Sequence, residues 1–275
     1  MSDAIADPTL ETVDPPFVEV LKAVAGAPLL QGQTIVLTGA AGGIGRVMAQ
    51  LFAAAGARLA ITDRDAEPLA SVADELRLAE ATFVSEALDA SETGEFLGLY
   101  ERIVSELGPL DGLVNCAGAW EAASFSEIEP EKLSAMLDAN LGTAFCACRA
   151  VLPGMVERRR GSVVNFASTA GEYGSIRAAA HYAAAKGGVI ALTKSLAREV
   201  SPFNVRVNAV SPGPIDTPSL VGSATPEARA KIGERTLLGR LGQPHEIGAA
   251  CVFLLSPLST FVTGQVLGVN GGSLL

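Results

Sequence analysis

Thr34-Ile-Val-Leu-Thr38 runs directly into Gly39-Ala-Ala-Gly42-Gly43-Ile44-Gly45, and that turn opens Arg46-Val-Met-Ala-Gln-Leu-Phe-Ala-Ala-Ala55. A short β-branched run, a glycine cluster and an Ala/Leu-rich stretch read as strand, tight turn and helix. In such a unit Gly39 allows the turn, Gly43 lets a pyrophosphate approach the backbone, and Gly45 lets the helix sit close to the sheet. The first amides of the helix then face the phosphates. The spacing is G-x-x-x-G-x-G rather than the commoner G-x-G-x-x-G. With 29 glycines in 275 residues, a cluster alone decides little, and the next strand carries the reading. Arg58-Leu-Ala-Ile-Thr-Asp63 ends in a carboxylate 24 positions after Gly39, where a dinucleotide fold receives the adenosine ribose hydroxyls. A carboxylate there repels the extra phosphate of NADP. Arg64 follows directly and softens that discrimination, but Gly42 carries no basic side chain, so NAD is expected ahead of NADP.

A second stretch supplies reactive groups. Tyr182-Ala-Ala-Ala-Lys186 lies 14 residues after Ser168, and positions four apart share one face of a helix. An ammonium beside a phenol favours the phenolate, bringing a group of ordinary pKa about 10 toward acid/base use near neutrality. Taken alone, the pair is weak evidence, because tyrosine and lysine at helical spacing are more often a packing residue and a solvated charge.

From here the chain resembles the short-chain dehydrogenase/reductase family, whose T-G-x-x-x-G-I-G motif is matched by Thr38 through Gly45. Asn115-Cys-Ala-Gly118 resembles the family's N-N-A-G turn, with Cys116 in place of the second asparagine. Asn140, Ser168, Tyr182 and Lys186 match its catalytic tetrad, although Tyr182 lies one residue further from Ser168 than is usual. Ser211-Pro-Gly-Pro-Ile-Asp-Thr217 resembles the segment at the nicotinamide end, and the stretches from Gly239 and Thr263 resemble the family's closing segment. The resemblance runs from about Leu30 to the C-terminus. It implies a cofactor set of Gly39, Gly42, Gly43, Ile44, Gly45, Asp63, Arg64, Asp89, Asn115, Ala117, Gly118, Pro212, Gly213, Ile215 and Thr217, together with Tyr182 and Lys186.

Strand-like runs begin near Thr34, Arg58, Thr82, Gly112, Ser162, Val205 and Gln265, with helical stretches between them. That alternation predicts an α/β fold, one Rossmann-like, doubly wound parallel sheet with helices on both faces and ligands at the carboxyl ends of the strands. The resemblance implies the strand order 3-2-1-4-5-6-7. A single domain over 29–275 is expected, with a substrate lid at about 214–238.

Residues 1–28 carry Asp3, Asp7, Glu11, Asp14 and Glu19 against Lys22 alone, and read as an acidic, flexible extension with a short amphipathic helix over 17–25. Cys116, Cys146, Cys148 and Cys251 show no C-x-x-C spacing, a reduced, cytoplasmic pattern. With His181 and His245 as the only histidines, no metal site is expected. A net charge of −10 argues against nucleic acid or an anionic membrane as partner. No apolar run approaches the roughly 18 residues of a membrane span.

These features point to an oxidoreductase exchanging a hydride between NAD(H) and a secondary alcohol or ketone. By resemblance, Tyr182 exchanges the hydroxyl proton and Ser168 holds the substrate oxygen. Lys186 lowers the Tyr182 pKa and binds the nicotinamide ribose, while Asn140 supports a water chain to solvent. An apolar lid containing Leu220, with Trp120 and Tyr173 as candidate lining, favours an uncharged alicyclic or aromatic substrate. A 3-oxoacyl-thioester reductase of the acyl-carrier-protein type, using NADPH, is the alternative. A non-catalytic NAD-sensing protein is a reading of another class, opposed by the intact Ser168, Tyr182 and Lys186. The resemblance also implies a homotetramer.

Overall fold

A computed structural model describes residues 26, 28–175 and 178–274. The expected flexible start and the helix over 17–25 lie outside the described residues. Among these, seven strands form one parallel sheet in the order β3-β2-β1-β4-β5-β6-β7. They are β1 (Thr34–Thr38), β2 (Arg58–Asp63), β3 (Phe83–Ala87), β4 (Gly112–Asn115), β5 (Gly161–Phe166), β6 (Val205–Pro212) and β7 (Val266–Val269). Every residue of β1 and β4 is buried, as the central strands of a doubly covered parallel sheet require.

The two faces of the sheet can be followed along β1. Ile35 and Leu37 point to one side, where they meet α1 (Gly43–Ala54) through Met48, Leu51 and Phe52. Val36 points to the other side, into a second cluster with Leu99 of α3 (Thr93–Leu107). Helix α2 (Ala66–Leu78) crosses from β2 to β3. Next come α4 (Pro130–Leu137) and α5 (Thr143–Glu157), separated by the π-helical turn Asp138–Gly142. Helix α6 (Thr169–Tyr173) is one short turn; α7 (Ala180–Val200) lays Ala197 and Val200 against the second cluster.

The lid carries two short helices, α8 (Pro218–Ser223) and α9 (Pro226–Gly233), each preceded by threonine. Thr217 and Thr225 cap them, accepting from the Leu220 and Ala228 amides, and proline at the first helical position lacks only an N–H that would have no helical partner. An ion pair between Arg229 and Asp216, 3.2 Å long, ties α9 to the loop leaving β6. Helix α10 (Pro244–Leu255) returns the chain beneath α1; there a β-carbon on Gly248 would lie 2.4 Å from Leu51 Cδ1, so the two helices touch through glycine.

The continuous helical stretch Pro130–Arg158 is long and apolar enough to cross a membrane, with mean hydropathy 1.2, although no apolar run of that length was expected from the sequence. Half of that window is buried inside the fold, so its apolar face is already occupied by the sheet and α7.

Candidate active site

Strand order reverses at β1, which pairs with β2 on one side and β4 on the other, Thr38 lying level with both Thr62 and Asn115. Crossovers on opposite faces leave a cleft beyond those carboxyl ends. Its floor is the glycine turn. Gly39 has φ +69°, and a β-carbon there would lie 2.6 Å from the Ala117 nitrogen, so only glycine joins the β1 turn to the β4 turn this closely. A β-carbon on Gly45 would lie 2.0 Å from the Gly39 carbonyl oxygen, which fixes the start of α1 on the same turn. Gly43 faces Pro218 and Thr217 of the lid, so lid and phosphate-type loop meet there.

One chamber of about 520 Å³ runs from this turn to the ends of β2 and β3, lined by Gly39, Gly42 to Gly45, Asp63, Arg64, Asp89, Ala117, Gly118 and Thr217. Asp63 is fixed rather than free: Oδ2 accepts the Ala41 amide at 2.9 Å and Oδ1 accepts the Asp65 amide at 3.2 Å. Arg64 sits 3.9 Å from Asp65, its weak ion-pair partner. Asp89 accepts from the Ser91 hydroxyl and amide, which hold its carboxyl below the ordinary range, with a smaller pull from Arg64.

Gly39, Gly43 and Gly45 are packed too closely to admit a β-carbon, so bare backbone lines the chamber where α1 begins. These features, with a fixed carboxylate at the far end, fit a dinucleotide's pyrophosphate and adenosine ribose.

A second chamber of about 490 Å³ joins the first at Ile44, Gly118 and Thr217, and holds the reactive groups. Asn140, Ser168, Tyr182, Lys186, Pro212, Gly213 and Ile215 all line it, as do Trp120, Tyr173 and Leu220. Ser168 caps α6: its oxygen accepts the Ala170 amide at 3.1 Å, and its hydroxyl is hydrogen-bonded to Tyr182. Lys186 is buried and donates to the Phe166 carbonyl, the last of β5, at 2.8 Å. Its ammonium stands 5.8 Å from the centre of the Tyr182 ring.

The electrostatics differ from the sequence expectation. Burial pushes the Tyr182 phenol up, partly offset by Ser168, and Lys186 does not bring it down. Burial also lowers the Lys186 ammonium to about 8. Desolvation penalises both charged forms, and the ammonium is committed to a carbonyl rather than to the phenol oxygen.

Asn140 sits on the π turn, which swings its side chain inward. Nδ2 donates to the Met136 and Ala119 carbonyls, both at 3.0 Å, so side-chain bonds replace helical ones around the wide turn. Oδ1 is buried without a partner among the described residues, and a β-carbon on Gly118 would stand 2.6 Å from it and 3.4 Å from the Lys186 nitrogen.

Asn115 is the expected site residue that the cleft does not receive. Its Nδ2 donates at 2.8 Å to Asn165, which donates at 2.9 Å to the Thr193 hydroxyl, a polar string inside the core that ties β4 to β5 and α7. Among the lining groups that the sequence reading did not single out for the site are Cys116, Arg235 and Ser273, whereas Ile232 lies in the apolar lid it expected. Cys116 reaches both chambers, and burial pushes its thiol up to about 12, so it is a neutral wall. Arg235 arrives from the expected lid, and Ser273 from the chain end, which no local pattern ties to Ser168.

Residues 39–273 match the family model described as Enoyl-(Acyl carrier protein) reductase. The chain is 37% identical to the 3-oxoacyl-[acyl-carrier-protein] reductase of Thermotoga maritima over 243 residues, 88% of this chain and 98% of the relative. It is also 37% identical to the 2,3-dihydroxy-2,3-dihydro-p-cumate dehydrogenase of Pseudomonas putida over 247 residues, 89% and 95% of the two chains. A crystal structure of a Brucella melitensis 3-oxoacyl-[acyl-carrier protein] reductase with bound NAD superimposes with a TM-score of 0.84 at 36% identity, covering 92% and 96%. Sheet order, glycine turn and similarity along nearly the whole chain agree: the protein belongs to the short-chain dehydrogenase/reductase family and is an oxidoreductase acting on alcohols or ketones.

Proposed function

We propose that this protein is an NAD(H)-dependent dehydrogenase or ketoreductase for a secondary alcohol or ketone on an apolar, alicyclic or aromatic body. The observation that carries the reading is the joining of Ser168, Tyr182 and Lys186 in one chamber, continuous with a chamber that ends at the Asp63 carboxylate. NAD(H) would be held by the glycine turn at its pyrophosphate, by Asp63 at its adenosine ribose and by Lys186 at its nicotinamide ribose, and would supply or accept the hydride. Tyr182, kept as a phenol by burial, donates its proton to a ketone oxygen, or in the reverse direction receives the alcohol proton. Ser168 has its oxygen engaged by the Ala170 amide, so its own proton is free to turn from Tyr182 to the substrate oxygen. Lys186 and the orphaned Asn140 Oδ1 bracket the position from which a water chain re-protonates Tyr182.

NAD is preferred over NADP because a carboxylate pinned by the Ala41 amide cannot swing away from a 2′-phosphate. The second reading is a 3-oxoacyl-thioester reductase, favoured by the relatives of that name. A homotetramer fits the exposed Phe253, Leu258 and Phe261 near the β7 edge. The free cysteines suit a reduced, cytoplasmic setting.

Calorimetric titration with NAD(H) beside NADP(H), followed by a panel of alcohols and ketones with the tighter cofactor, tests the proposal. Tight NAD(H) binding with turnover of cyclic alcohols is the expected result. A strong NADP(H) preference with turnover of 3-oxoacyl thioesters moves the assignment to the second reading, and binding without turnover of any carbonyl returns it to a sensor.

A further inference from the structure

We infer that the substrate chamber contains a subsite for a single carboxylate, formed by Arg235 with Ser273; this rests on the proposed alcohol/ketone chemistry at Tyr182. Arg235 follows α9 and lines the chamber beside Ile232. It is solvent-exposed at the rim and, like Arg58, Arg149, Arg159, Arg198 and Arg206, makes no ion pair among the described residues, whereas Arg229 of the same lid is paired with Asp216. Among the described residues no aspartate or glutamate lines this chamber, and the other described cation there, Lys186, donates to the Phe166 carbonyl. In a chain of net charge −10, an arginine facing a carboxylate-free chamber is set for an anion from outside.

Ser273 gives the second, independent observation. Its hydroxyl is buried with no partner among the described residues, yet the residue lines the same chamber. The chain end runs along the segment carrying Arg235: the Leu238 amide donates to the Gly271 carbonyl at 3.1 Å, and a β-carbon on Gly272 would lie 2.8 Å from Leu237. A guanidinium and a spare hydroxyl satisfy one carboxylate, whose oxygens accept both. A single guanidinium matches the charge of a carboxylate rather than that of a phosphate dianion; Trp120, Tyr173, Leu220 and Ile232 add apolar and aromatic walls beside the hydroxyls of Thr169, Ser175, Thr217 and Ser219. The substrate is therefore an alcohol or keto acid with an apolar body between the reacting carbon and the carboxylate. The sequence alone pointed to an uncharged substrate because Arg235 stands 67 positions from Ser168 and only the folded lid brings it to the chamber.

The test is binding of benzoate and of benzamide, read by fluorescence of Trp120, the single tryptophan and a chamber residue, with and without saturating NADH. Benzoate should bind about tenfold or more tightly than benzamide, as one charge-assisted pair provides. Arg235→Gln should erase that difference, Arg235→Lys should keep part of it, and Ser273→Ala should reduce it. Equal binding of the two ligands by the wild type, or a difference that survives Arg235→Gln, overturns the subsite. Turnover of 3-oxocyclohexanecarboxylate beside its methyl ester separates the two proposals. Discrimination of benzoate without turnover of either compound keeps the subsite and removes the reaction; turnover of both at equal kcat/KM, insensitive to Arg235→Gln, keeps the reaction and removes the subsite.

Discussion

Lys186 Nζ donates to the Phe166 carbonyl at 2.8 Å, which locks the ammonium to the end of β5 instead of to the phenol four residues before it. The cation is positioned by the sheet and strongly desolvated, and this has a consequence for stability. Its folded pKa is lowered from 10.5 to about 8, so below about pH 8 the folded state carries a buried charge that the unfolded chain holds in water. Between about pH 8 and 10.5 the folded protein has lost a proton that the unfolded chain retains, and this group's contribution to stability rises with pH. Lys186→Met should be the more stable protein at pH 7, by an amount on the order of 3 kcal/mol. The gap should close toward pH 10.5. Urea unfolding of both proteins across that range checks it, and a gap that does not change with pH contradicts the buried-charge account.

The glycine turn predicts an asymmetry between two equally small changes. Gly39→Ala puts a side chain at φ +69° and drives its β-carbon to 2.6 Å from the Ala117 backbone, which has no rotamer with which to yield. A loss of about 2–4 kcal/mol is expected, along with weakened cofactor binding. Gly98→Ala, inside α3 with open space around it, should instead stabilise by about 0.5–1 kcal/mol. Thermal melts of the two variants give opposite signs if the turn is as tight as the geometry has it.

The buried string Asn115–Asn165–Thr193 predicts a packing defect rather than a catalytic one. Asn165→Leu removes the acceptor of Asn115 and a donor to Thr193, leaving the Asn115 amide without its best partner inside the core. Destabilisation of about 2–3 kcal/mol is expected, with cofactor affinity retained. Denaturant titration beside NADH titration separates the two effects; a loss of affinity without loss of stability would return Asn115 to the cleft.

Much of this was readable before the fold. All seven strands begin within one residue of the expected positions, because strands covered on both faces are continuous apolar runs and their ends are marked by glycine, proline or polar residues. Thr38 and Asp63 follow from strand position and the glycine turn, whereas Ser168 and Pro212 rest on the family resemblance. What escaped depends on tertiary context. The π turn at Asn140 has no sequence signature here, and Asn115 goes inward because Asn165 and Thr193 await it from distant elements. Helical spacing brought Tyr182 and Lys186 onto one face, but it carried no information about their desolvation, which reversed the expected effect on the phenol.

Asp63→Asn tests the cofactor choice with little change in shape. The amide oxygen can still accept from Ala41, so the glycine turn keeps its support while the charge and the bond from the Asp65 amide are lost. The ratio of kcat/KM for NAD to that for NADP should fall by about tenfold to a hundredfold, chiefly through better use of NADP. An unchanged ratio places the discrimination elsewhere, with Arg64 the next residue to exchange.

Tyr182→Phe removes one oxygen from a group hydrogen-bonded to Ser168 and leaves the ring in place. The expected loss in kcat is about 10² to 10⁴, the range for removing a positioned acid or base. NADH affinity should hold, since the ring and Lys186 remain. Ser168→Ala is the more revealing partner. It deletes both the oxygen that accepts the Ala170 amide and the proton shared with Tyr182, so it should loosen the start of α6 and reduce kcat together. If the two hydroxyls act on one substrate oxygen, the double variant should lose far less than the product of the single losses. Fully multiplicative losses would mean that Ser168 and Tyr182 serve different atoms, and Ser168 would then be a cap for α6 rather than a contact of the substrate.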